Sequence, residues 1–178
     1  GAECYVLRIA HVDPRKPGEI ATLASNRLLT AGGKPSLDVY AINEGAWANV
    51  VNVETFRSAQ IAQTFLTLDL KKGQTSATVK STHGIARGSI LRVYDEDGNE
   101  EILEVANIEG RVVHFQPGQK VKVNHPSSAP TYLEPIEFGI RVSYLGRDES
   151  FDNLSPGVRA PNYFETVVNS QSAIIHVA

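Results

Sequence analysis

Histidine, cysteine, carboxylate and serine side chains are the groups through which this chain could do chemistry. The five histidines are His11, His83, His114, His125 and His176. None has a second histidine or a cysteine at metal-ligand spacing, so each reads as an ordinary loop or strand residue. Asp95-Glu96-Asp97-Gly98-Asn99 resembles the start of a calcium loop. However, Glu100 stands where the sharp-turn glycine belongs and Ala106 where the bidentate glutamate belongs, so the run reads as an acidic hairpin tip. Gly32-Gly33-Lys34 lacks the first glycine of a phosphate loop, because that position is Leu28, and Pro35 replaces the Ser/Thr. It reads as a β-turn. No serine lies in a Gly-x-Ser-x-Gly elbow, so a hydrolase triad has no anchor. Asn153-Leu154-Ser155 is formally a glycosylation sequon. No catalytic, cofactor-binding or metal-ligating residue is predicted, and the expectation is a protein that is not an enzyme.

Two further features bear on binding. Asp95, Glu96, Asp97, Glu100, Glu101, Glu104 and Glu109 cluster in sequence. Such a cluster reads as a solvated face, with a docking patch for a basic partner as the alternative. Trp47 is expected to pack its ring into the core with the indole N–H on an acceptor. The alternative is an exposed ligand-stacking tryptophan in a turn.

Composition bounds the elements that must carry these residues. At 178 residues the chain can hold one sizeable domain or two small ones, with a core that needs no disulfide. A hydrophobic share of 42% and a charged share of 21% are those of a globular protein. The 17 basic and 20 acidic residues give a net charge of −3, which makes no electrostatic case for nucleic acid or an anionic membrane. The most apolar windows are strand-length, too short to span a bilayer. The single cysteine, Cys4, cannot form an internal disulfide and reads as a small buried apolar residue. The Gly1-Ala2 start, the absence of methionine and the end at Val177-Ala178 read as an excised piece of a longer protein.

Residues 4–11 read as a strand apolar on both faces, and 14–18 as a loop. Residues 20–25 and 36–42 flank the Gly32-Gly33 turn and are expected to pair as a hairpin, a helix over 20–29 being the alternative. Residues 49–55 read as a strand with Val51, Val53 and Thr55 on one face. Short β-runs follow at 64–70, 76–81, 89–95, 100–108 and 111–115, separated by Gly-bearing turns, a pattern of a small barrel or sandwich. Residues 124–135 hold three prolines and read as a connecting loop. A half-buried strand is expected over 136–145, a polar Pro/Gly-bearing stretch over 146–160, and a helix from Pro161. Its stripe is Tyr163, Phe164, Val167 and Val168. A last strand is expected over 173–177. The predicted fold is mainly β (α+β): a β-rich unit with one C-terminal helix, 3–56 and 136–178, interrupted by an inserted small β-barrel or sandwich at 57–135.

Three segments carry a likeness to a family. Asn43-Glu44-Gly45-Ala46-Trp47-Ala48-Asn49 leads into a Val-rich strand. Glu149-Ser150-Phe151-Asp152-Asn153-Leu154-Ser155 follows the variable insertion. Pro161-Asn162-Tyr163-Phe164-Glu165-Thr166-Val167-Val168-Asn169 leads into the last strand. In this order they resemble the sheath protein of phage-type contractile tails and related injection machines, over about half the chain. Ala48 stands where members often carry glycine. The residues that carry the motif are Gly45, Trp47, Asn49, Phe151, Asn153, Leu154, Pro161, Tyr163 and Val167. Gly45 permits a turn closed to other residues, Trp47 is an apolar anchor, and Asn153 can tie a loop by side-chain-to-backbone bonds.

The resemblance implies a subunit that polymerises around an inner tube and contracts to drive it through a target envelope, by rigid-body rearrangement about bistable interfaces. Its implied partners are other sheath subunits and the tube protein, engaged through terminal strands and a core outside this piece. The piece itself is then expected to be a monomer without nucleic-acid, membrane or cofactor partners. Its place would be a virion tail, or the bacterial cytoplasm before assembly or release. The competing reading is a β-sandwich or barrel module of a tail, baseplate or adhesin protein that recognises carbohydrate or protein. Phe65, Tyr94 and Phe115 are its available aromatic residues. An enzyme fragment whose active site lies elsewhere is a third reading.

Overall fold

A computed structural model describes residues 22–58 and 62–178. The strand expected at 4–11, the loop at 14–18, Cys4 and His11 lie outside the described residues. The protein is mainly β, with one α-helix near the C-terminus. Its described residues fall into two units. One comprises 22–53, 142–149 and 168–178; the other comprises 54–58, 62–141 and 150–167.

In the first unit, β1 (Ser25–Leu29) pairs antiparallel with β2 (Pro35–Ala41), and Leu28 faces Leu37. The expected hairpin is present, but its first strand starts at Ser25 instead of occupying 20–25. Strand pairing, not a helix, satisfies the backbone of 25–29, whose Ser25 and Asn26 are weak helix formers. Gly33, at φ 76, makes the turn, donating to the Thr30 carbonyl at 2.8 Å. On β2 the residues Leu37, Val39 and Ala41 are buried while Tyr40 is exposed, the alternation of a strand covered on one face. β12 (Ile175–Val177) pairs with the other side of β2, giving the order β1-β2-β12.

Gly45 takes φ 120 and ψ 161 and leads into a 3₁₀ turn, Ala46–Val50. That turn displaces the expected strand at 49–55 to β3 (Asn52–Arg57). β10 (Phe138–Tyr144) is followed by β11 (Arg147–Leu154), and the three form a sheet in the order β11-β10-β3. The stretch read as polar connection at 146–160 is thus a strand in its first half. Leu145 and Gly146, at φ 45 and 81, make the two-residue turn that such a hairpin needs.

The second unit holds a closed barrel. Its strands are β4 (Thr64–Phe65), β5 (Ser76–Thr78), β6 (Ile90–Asp95), β7 (Glu100–Glu109), β8 (Val112–Phe115) and β9 (Thr131–Pro135). They run in the order β4-β9-β6-β7-β8-β5. The sheet closes where Leu66 bridges Val79, with Lys80 N–H donating to the Phe65 carbonyl at 2.9 Å. Leu91 and Val93 of β6, Leu103 and Val105 of β7, Val113 and Phe115 of β8, and Leu133 of β9 fill the interior. Closure leaves no sheet edge to guard. β9 corrects the expectation of a loop over 124–135. Its prolines sit outside or at the end of the strand, where a missing N–H is tolerated, and Thr131, Tyr132 and Leu133 pair normally with β6. The helix α1 spans Phe164–Gln171, starting three residues after Pro161, and Val168 is its buried residue. Among the described residues no helix is long and apolar enough to cross a membrane.

Candidate functional site

Two features of the barrel stand out chemically: a polar plug inside and an aromatic row outside. The plug follows from strand parity. On β6 the inward set is Leu91, Val93 and Asp95; on β7 it is Glu101, Leu103 and Val105. Both carboxylates are therefore carried into the barrel end, with side chains 2% and 4% exposed. His125 is fully buried between them, Nδ1 lying 2.9 Å from Asp95 Oδ2 and Nε2 3.2 Å from Glu101 Oε1. Its main chain is fixed by two bonds with Leu70, at 2.9 and 2.8 Å.

The remaining lone pairs are also occupied. Asp95 accepts from the main-chain N–H and the side-chain amide of Asn99, and Glu101 from the N–H groups of Lys122 and Val123. Every one of these partners donates, which suits ionised carboxylates. A neutral imidazole has one N–H and can donate to only one of the two carboxylates, whereas both ring nitrogens face an acceptor here. Burial by itself pushes the Asp95 carboxyl up. The bonds from Asn99 and His125 outweigh burial and hold it below its ordinary value.

This corrects two sequence expectations. His125 is not an ordinary loop residue, and the acidic run is not wholly a solvated face, since Asp95 and Glu101 leave it for the interior. The signal was available, because both acids lie in phase with the apolar positions of their strands. Among the described residues no group of His, Cys, Asp and Glu is arranged to hold a metal ion.

The aromatic row lies on the opposite parity. Phe65 of β4 pairs directly with Tyr132 of β9, and Tyr132 directly with Tyr94 of β6. Directly opposed residues share a face, so the three rings form a line across three neighbouring strands on the outer wall. Phe65 is exposed and the two tyrosines are half-buried. The Tyr94 and Tyr132 ring centroids are 5.5 Å apart, with planes inclined by 32°.

Polar groups border the line. Arg92 lies 4.5 Å from the Tyr94 centroid and Lys80 4.9 Å from that of Phe65. Gln63 donates to the Tyr94 hydroxyl at 2.7 Å, and that hydroxyl donates to Glu134 at 3.3 Å. Burial, and then the Glu134 charge, push the Tyr94 hydroxyl up. Sequence reading missed Tyr132, because it fell in the presumed loop. It also counted Phe115, which is a core residue.

The motif residues fall in both units. Gly45, Trp47 and Asn49 belong to the first. Trp47 is half-buried, packs edge-on to Tyr144 at 5.2 Å and donates its indole N–H to the Glu44 carbonyl at 3.3 Å. Asn49 is exposed and lines a cavity of about 330 Å³ with Leu28, Val39, Val51 and Ile175. Two further motif residues fasten the last strand. Asn169 exchanges two hydrogen bonds with the main chain of Val177, and Glu149 accepts from Ser172 Oγ and Ala173 N–H.

Phe151, Asn153, Leu154, Pro161, Tyr163 and Val167 belong to the second unit. Phe151 and Leu154 are buried. Asn153 takes φ 54, a left-handed conformation that asparagine tolerates. The ties at Asn153 run through its main chain: its N–H donates to buried Ser58 Oγ at 3.1 Å, and its carbonyl accepts from the Asn162 amide. The expected side-chain tie is thus replaced by main-chain ones. Pro161 is exposed and precedes the helix. Tyr163 forms a parallel bridge with Ser155, and its hydroxyl donates to Glu165 at 2.8 Å. Val167 is half-buried.

No protein-family profile matches the chain, and no curated protein matches it. Among solved structures it is similar to the Gp54 tailspike of Acinetobacter baumannii bacteriophage AP22 in complex with A. baumannii capsular saccharide. The identity is 24% and the TM-score 0.34, over 42% of this chain and 15% of that one. The chain therefore spans under a sixth of that protein's length, and no functional conclusion rests on the likeness.

Proposed function

We propose that the chain is part of a structural subunit of a phage-type contractile tail sheath. The observation that supports this most is where the family-like residues fall. Gly45 and Trp47 build the turn before β3, Asn153 sits at the left-handed end of β11, and Asn169 pins β12 to the helix. These are joint-forming roles, in the order the family shows them, on either side of the barrel. Work would come from many copies changing between two packed arrangements, with other sheath subunits and an inner tube as partners and a virion tail as the location.

Negative-stain electron microscopy of the longer parent protein, beside this chain, tests the reading. Long tubes from the parent and discrete particles from this chain are expected. Discrete particles from both would remove the sheath assignment.

The aromatic row favours a second reading for the barrel alone: a recognition module for carbohydrate or protein. The two readings are compatible, since an inserted barrel can be carried as a surface module where variation is tolerated.

A further inference from the structure

We infer that the outer wall of the barrel binds a saccharide chain along the line Phe65–Tyr132–Tyr94. The inference rests on the recognition-module reading and gives it a ligand class and a place. Three observations carry it. The three residues form a cross-strand row, Phe65 opposite Tyr132 and Tyr132 opposite Tyr94, with the two tyrosine rings in contact. That line covers two inter-strand spacings, about 10 Å, which is the footprint of a narrow chain. Its polar border continues the same narrow strip, with Arg92 against Tyr94 and Lys80 against Phe65.

The border chemistry decides the class. Glu134 and Glu100 alternate with Arg92 beside the rings, Arg92 lying 2.8 Å from Glu100 and 3.4 Å from Glu134. Glu134 is buried and holds Arg92 in place; hydroxyl groups both donate and accept, so a sugar can use the Glu100 carboxylate, the guanidinium and the Gln63 amide while its C–H face lies on a ring. A phosphodiester backbone has only acceptors and negative charge. Glu100 and the chain's net charge of −3 oppose it, and Arg92 is already paired with Glu100 and Glu134. Arg92 lies against the Tyr94 ring and Lys80 against the Phe65 ring, so these two close the ends of the row and Tyr132 between them is the stacking ring.

Saturation-transfer NMR and calorimetry on the whole chain test this, with four probes: maltohexaose, cellohexaose, chitohexaose and a hyaluronan hexasaccharide. At least one is expected to receive saturation, strongest at ring C–H protons. Tyr132→Ala and Phe65→Ala should each weaken that binding by about tenfold or more, and Tyr132→Phe, which keeps the ring, should not. Tyr40→Ala, an exposed tyrosine in the other unit, should leave it unchanged. No transfer to any of the four probes overturns the inference. Binding that Tyr132→Phe and Tyr132→Ala leave equally intact would keep the recognition-module reading and remove the site. Tyr132-dependent binding of oligothymidylate in place of sugars would also overturn it, in favour of single-stranded nucleic acid.

Discussion

Replacing His125 by leucine tests whether the barrel plug is an ionic cluster or merely a well-packed polar one. Leucine keeps most of the buried volume and removes both ring nitrogens. Asp95 and Glu101 would then face each other with side chains 2% and 4% exposed and no imidazole between them. Removing one partner from a buried ionic group costs about 3–5 kcal/mol. Asn99 still donates to Asp95, and Lys122 and Val123 still donate to Glu101. The loss should therefore lie at the low end, about 3 kcal/mol, a large part of the roughly 5–15 kcal/mol that holds a domain together. Urea unfolding followed by circular dichroism near neutral pH measures it.

The pH dependence separates charge from packing. The Asp95 carboxyl is held below its ordinary value of 3.8 in the fold, so its contribution is complete above that value and is lost as pH falls through the lower folded one. In His125→Leu one of the groups holding Asp95 down is gone, and protonation removes the buried charge that destabilises the variant. The gap between the two proteins should thus narrow towards about pH 3. A loss below about 1 kcal/mol at neutral pH, or a gap of equal size in acid, would refute the ionic account.

Three other outcomes follow from the same structure. The Glu137 carboxyl is pushed up by burial and the Asp152 charge, against a bond from Asn162, so stability falls as pH rises through its folded value. Glu137→Gln should therefore raise the thermal midpoint at neutral pH and leave it nearly unchanged near pH 4, which differential scanning calorimetry would show. Leu145 is 81% exposed at φ 45, a backbone state costly for a leucine. Leu145→Asn should stabilise by about 1 kcal/mol in chemical denaturation, and no gain would contradict the left-handed turn. Gly88, at φ 83, would place a Cβ 2.2 Å from the Arg159 carbonyl carbon, where only main chain could yield. Gly88→Ala should cost about 3 kcal/mol or more, and a near-neutral result would mean that the 157–160 loop is not seated there.

The legible parts of the fold were those where apolar parity and turn chemistry agree. Val93 and Leu103 alternate in phase with their strands, and Asp97-Gly98 and Gly110 sit between runs, so β6, β7 and β8 were readable. β11 was not, because Phe151 and Leu154 are both buried at opposite parity. The left-handed Asn153 shifts the phase between them, and a period-two search finds nothing there. β9 was hidden by its prolines, and with it went Tyr132, the residue that joins the other two rings into a line. The site was less legible than the fold for this reason. A row across strands joins residues distant in sequence, and only the register reveals it.

The same register gives the plug a meaning beyond stability. A one-residue slip of β6 against β7 would turn Asp95 outward and bring Arg92 and Tyr94 into the interior, while Glu101 on β7 stayed inside. His125 would lose Asp95 and keep only Glu101 while still buried. The buried acids make the slip prohibitive, since a charge without its partner costs more than the paired cluster contributes. Because Tyr94 and Tyr132 sit one residue from the plugged positions Asp95 and Thr131, the register that buries the carboxylates is also the one that aligns the rings. The plug inside and the row outside are thus two consequences of one strand alignment. A variant that loses the first through a slip should lose the second with it.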